Sequence, residues 1–76
     1  MTEAVDTAAA ATSQDPQVGL HAVAALRRLA ERLEALQVDN ARRHGWSWEQ
    51  IGQALGVSKQ AVHKKHAGRW PDRKGN

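Results

Sequence analysis

At 76 residues with no cysteine, the chain has room for one small domain and offers no disulfide staple and no thiolate metal site. Its net charge of +3 is unevenly placed: residues 1–40 carry Arg27, Arg28 and Arg32 against Glu3, Asp6, Asp15, Glu31, Glu34 and Asp39, a net of −3, whereas residues 41–76 carry eight basic residues against Glu49 and Asp72, a net of +6. A basic half joined to an acidic half suggests a polyanion-binding module beside a separate element, no stretch is long and apolar enough to cross a membrane, and the acidic N-terminus lacks the features of a secretory leader.

Residues 1–14 are rich in Ala and Thr and poor in large apolar side chains. They have little to bury and are expected to form a disordered tail, with at most a transient helix. Asp15-Pro16 then reads as a helix start: Asp15 caps the first free N–H groups, and proline suits the first helical position. Helix formers continue without a proline to about His44, and Gly45 ends the run. Gly19 weakens the first turn, and a break near Val38-Asp39-Asn40 is allowed. Along this helix Ala22, Leu26, Leu29, Leu33, Leu36 and Asn40 recur at steps of four and three, which is the seam of a short coiled coil. Two uses of the stripe stand open. It can pack on the chain's own C-terminal helices, with Leu36 and Ala41 facing them. It can also face a second copy, with Leu26, Leu29, Leu33 and Leu36 as a homodimer interface and Asn40 fixing its register.

Trp46-Ser47-Trp48-Glu49-Gln50-Ile51 opens the next helix. Ser47 and Gln50 have the spacing of a capping box, and Trp46 with Ile51 that of a hydrophobic staple. Trp46 and Trp48 are both expected to have core roles. The helix runs from about Trp48 to Leu55 and stops at Gly56. Ser58 caps a last helix, Lys59 to Ala67, which Gly68 ends and Pro71 prevents from resuming. Two short helices separated by Gly-Val-Ser have the form of a helix-turn-helix. Ile51, Leu55, Val57 and Val62 are its expected interior, with Gly52 marking a close approach of the second helix. Lys59, Gln60, His63 and Lys64 then share the outer face. His66 follows Val62 by one turn and is expected at the edge of the core, near Trp70.

The stretch GWSWEQIGQALGVSKQAVHKKHAGR resembles the helix-turn-helix of sigma factor region 4 and related homeodomain-like bacterial regulators. Trp46 to Gly52 resemble that family's aromatic-Ser-aromatic-Glu-x-Ile-Ala run, with Gly52 in place of the usual alanine, and Leu55 to Ser58 and Val62 match its turn and central valine. The resemblance covers about a third of the chain. It implies a bacterial protein of tri-helical, homeodomain-like fold. With the elements read above, the expected chain is all-α: a tail over 1–14, a long helix over 15–44, a helix-turn-helix over 45–68 and a basic tail over 69–76. Without a membrane span or leader it is read as cytoplasmic, or nucleoid-associated. The resemblance also implies duplex DNA as partner and a role as a small transcriptional regulator, with the second helix in the major groove. Base contacts then fall to Lys59, Gln60, His63 and Lys64. Phosphate contacts fall to the N–H groups near Ser47, Trp48 and Ser58 and to Arg42, Arg43, Lys65, Arg69, Arg73 and Lys74.

Other chemistry has weaker support. His63 and His66 have a metal-ligand spacing, but no cysteine or well-placed carboxylate completes a site. No nucleophile or acid–base pair is recognisable, so neither a cofactor nor an enzymatic activity is expected. Three tryptophans could stack on single-stranded bases, yet two of them flank a helix cap. The competing readings are a protein-interaction module that docks on a partner through its helices and a sequence-independent architectural DNA binder.

Overall fold

In a computed structural model, which describes residues 2–69, the protein is all-α. Its elements are α1 (Thr2–Ala10), α2 (Pro16–Arg43), α3 (Trp48–Leu55), α4 (Lys59–His66) and a 3₁₀ turn (Ala67–Arg69). The chain divides into two compact units at Glu34 and Ala35, within the span of α2. No helix among the described residues is long and apolar enough to cross a membrane. Trp70, Pro71, Arg73 and Lys74 lie outside the described residues.

In the first unit, the expectation of a disordered tail is corrected: Thr2–Ala10 is helical. Alanine, the strongest helix former, supplies four of its nine residues. Thr7 and Ala10 of α1 and Val18, Ala22 and Ala25 of α2 line one shallow groove, and Ala22 is buried. The connection is held by its own polar groups, with Thr12 Oγ1 donating to Ala9 O at 2.7 Å and Asp15 N donating to Ser13 Oγ at 3.1 Å. It passes over Gly19, where an added Cβ would stand 3.4 Å from Ser13 O. Gly19 is therefore a contact point rather than only a weak helical residue. Asp15 caps α2 as expected, accepting from Gln17 N at 3.0 Å, and α2 runs unbroken through Val38-Asp39-Asn40.

The second unit is built around Val38, Trp48, Ile51 and Val62, with Ala41 and Ala67 packed at the edge. Two helix ends are made in the same way. Gly45 and Gly56 adopt φ of 84° and 78°, the left-handed region open to glycine. The residue after each returns an N–H to a carbonyl five residues back: Trp46 to Ala41 O at 3.0 Å, Val57 to Gly52 O at 2.9 Å. The capping box of α3 is present, with Gln50 N donating to Ser47 Oγ at 3.1 Å and Ser47 N donating to Gln50 Oε1 at 2.8 Å. Ser58 caps α4 by accepting from Ala61 N at 3.0 Å.

Gly52 does mark a close approach, but of the turn backbone rather than the body of α4. An added Cβ would lie 2.8 Å from Val57 O and 3.2 Å from Ser58 C and O. Since main chain fills this space, the Val57 side chain is left outside, 46% exposed, and is not the buried residue expected. Replacing Gly52 with alanine is expected to destabilise the protein by about 1–2 kcal/mol, because overpacking outweighs the roughly 1 kcal/mol gain in helix propensity. Gly68 has nothing within 4 Å of an added Cβ, so Gly68→Ala should not lower the midpoint of urea denaturation. Equal midpoints for the two variants would contradict the close approach.

Three further interior expectations are corrected. Leu55 is 42% exposed and stands outside the cluster of Val38, Trp48, Ile51 and Val62. Trp46 is exposed rather than a core residue. The chain's entry into α3 is fixed by a main-chain bond from Trp46 N to Ala41 O at 3.0 Å and by the Arg42 side chain, whose Nη1 donates to Trp46 O at 2.8 Å, rather than by a buried Trp46 staple. Leu36 is 55% exposed, since Val38 and Ala41 are the α2 residues that meet the core.

Candidate nucleic-acid interface

The second unit positions α4 through one face. Val62 and His66 are buried, one helical turn apart, and the 3.6-residue period turns Gln60, Ala61 and Lys64 outward. Lys59 is exposed in the first turn, beside the Ser58 cap, and Lys65 is exposed on the flank. The outer surface thus holds three of the four side chains expected to read bases, Lys59, Gln60 and Lys64, with no large apolar residue among them. Ala61 belongs to this surface and was missed by sequence reasoning. Its exposure follows from its place one residue before the buried Val62. A methyl group there suits contact with a thymine methyl or close approach of a groove wall.

His63 sits differently. It is half-buried, and its imidazole meets the Trp48 ring edge-on, with centroids 5.4 Å apart and planes at 85°. Arg42 Cζ lies 4.6 Å from the centroid of the same indole. A cation over tryptophan contributes about 0.5–2 kcal/mol, depending on desolvation. Arg42, Trp48 and His63 therefore tie α2, α3 and α4 together, and the guanidinium and imidazole each carry a packing role. Trp48 Nε1 and Arg42 Nε are buried without a hydrogen-bond partner, so packing rather than polar pairing holds the stack.

Arg69, expected at a phosphate, is engaged inside the unit. Its Nη2 stands 2.7 Å from Asp39 Oδ1 and its Nε 3.2 Å from the same oxygen, while Nη2 also donates to Ala35 O at 3.2 Å. Its Nη1 is 3.0 Å from His66 Nδ1. Arginine has only donors, so that nitrogen accepts and His66 is the buried structural residue expected from its spacing. This fork latches the 3₁₀ turn to α2 and leaves the guanidinium little freedom to reach a ligand.

The remaining phosphate candidates sort by what their groups already do. Ser47 N donates to Gln50 Oε1 and its hydroxyl accepts from Gln50 N, which leaves the hydroxyl proton to donate outward. Trp48 has its indole in the core, which leaves only its backbone. The Ser58 hydroxyl accepts from Ala61 and can still donate outward. Arg43 is exposed at the end of α2, whereas Arg42 is bound to Trp46 O and Trp48. Arg73 and Lys74 lie outside the described residues. No group of three or more metal-binding side chains occurs among the described residues.

The chain resembles uncharacterised proteins of Mycobacterium bovis and of two strains of Mycobacterium tuberculosis, each 48% identical over 40 residues. The match takes in 53% of this chain and only 16% of each relative's length. No family model and no solved structure matches the chain.

Proposed function

We propose that the protein binds duplex DNA as a small regulator, with α3 and α4 acting as a helix-turn-helix and α4 entering the major groove. The observation that carries this reading is the outer surface of α4: Lys59, Gln60 and Lys64 exposed around Ala61, on a helix anchored behind by Val62 and His66. Lysine donates to guanine O6 and N7, and glutamine pairs with adenine N6 and N7. The Ser58 hydroxyl, Arg43 and Lys65 flank that surface as candidate phosphate contacts.

Fluorescence anisotropy with a labelled duplex tests the reading. Affinity should fall linearly with salt on a log–log plot, with a slope of roughly −2 to −4 per chain, since each neutralised phosphate contributes about −0.9. An absence of binding to duplex even at about 50 mM salt would overturn it.

A protein-docking role has an observation of its own: Leu55 and Val57 are both exposed apolar side chains beside the turn, and apolar anchors suit protein interfaces. Duplex binding that survives replacement of both by serine separates the two roles.

A further inference from the structure

The α2 stripe read as a seam is left without an intramolecular use over most of its length. In the second unit, Val38 is the buried α2 residue. It lies on the far side of the helix from Leu36 and Asn40 by the 3.6-residue period. Leu36 is 55% exposed and Asn40 is exposed. In the first unit, Ala22 is buried in the groove it shares with α1, whereas Leu33 is 50% exposed and Leu26 and Leu29 are half-buried. The four leucines and Asn40 thus form an apolar row that ends in one amide.

We infer that a second copy of this chain covers that row, with the two α2 helices parallel and in register, so that Asn40 meets Asn40 of the second copy. This stands apart from the duplex-binding reading and does not require it. Heptad spacing places Leu26, Leu33 and Asn40 in one set of core layers and Leu29 and Leu36 in the other. Parallel pairing matches like with like, and the two Asn40 amides can hydrogen-bond across the seam. The flanking positions then oppose Arg32 to Gln37 and Ala25 to Ala30, with no like charges facing.

Antiparallel pairings are worse on both counts. The register that aligns all four leucines places Arg32 on Arg32 of the second copy, and like charges repel. It also sets Asn40 against Ala22, which α1 already covers. The alternative register, centred on Leu33 and Leu36, buries Asn40 against Leu29, where Nδ2 keeps only the 3.4 Å bond to Gln37 Oε1 of its own helix and Oδ1 meets no donor across the seam. The Asp39 that would reward it by facing Arg32 is already held by Arg69 at 2.7 Å.

Because the chain has no cysteine, an introduced thiol is the sole one. Asn40→Cys, oxidised in the 76-residue chain, is expected to give a disulfide-linked dimer, and Leu29→Asp in the same background should abolish the link and sediment as a monomer. Mixing Asn40→Cys with Ala22→Cys should give no mixed dimer above the level of random collision. A predominant mixed dimer would overturn the parallel arrangement. Sedimentation of the unmodified protein as a monomer at about ten-micromolar concentration would overturn the pairing altogether, whatever the outcome of DNA titrations.

Discussion

Replacing Trp48 with alanine is expected to remove about 3–5 kcal/mol of stability, most of what a chain of this size possesses. The indole is buried among Val38, Ile51 and Val62, and it is the common surface on which Arg42 and His63 rest. Its loss therefore detaches α2 and α4 from α3 at once. Thermal unfolding followed by circular dichroism should show a midpoint lower by more than about 12 °C, since each kcal/mol shifts a domain of this size by roughly 4–8 °C. Trp48→Phe is the informative comparison. Trp48 Nε1 has no hydrogen-bond partner, so phenylalanine forfeits no polar contact and keeps a ring face for Arg42. A loss of only about 1–2 kcal/mol is expected, the scale of an imperfect volume match. Equal losses for the two variants would show that something other than the stacked ring holds the core.

The second large effect concerns binding. The double replacement Gln60→Ala with Lys64→Ala should lower affinity for a preferred site by at least tenfold, and by about 100-fold if both side chains read bases, because a good base contact discriminates by about 1–3 kcal/mol. Both residues are exposed, so the unfolding midpoint should stay within the change expected of surface substitutions, about 0.5 kcal/mol. His63→Ala should behave differently. It removes a ring that packs on Trp48, so stability and affinity should fall together. An unchanged affinity in the double variant would take Gln60 and Lys64 out of the interface.

The parts of this architecture that depend on local chemistry were legible in the sequence. Asp15, Ser47 with Gln50, and Ser58 start helices because their side chains satisfy free N–H groups, and Gly45 and Gly56 end them because only glycine takes that φ cheaply. Val62 and His66 followed from helical spacing. What escaped were outcomes decided by which group reaches a space first. Val57 is outside because its own carbonyl fills the room above Gly52. Leu36 is outside because Val38, two residues on, takes the inner face. The α1 helix was legible only as a transient one, because its alanines favour the helix but supply no large apolar stripe to anchor it. At the candidate site, charge alone could not separate Arg69 from Arg43. Arg69 sits where Asp39, Ala35 O and His66 converge, an arrangement that requires the fold. Ala61 was passed over because an exposed alanine has no chemistry to notice until its neighbours are known to surround it.

The most direct test of the central claim is selection from random-sequence duplex DNA at near-physiological salt, with the bound fraction sequenced. The expected result is an enriched motif that disappears when Gln60 and Lys64 are both alanine. Retention of duplex without any enriched sequence, or no retention, would contradict base reading by α4.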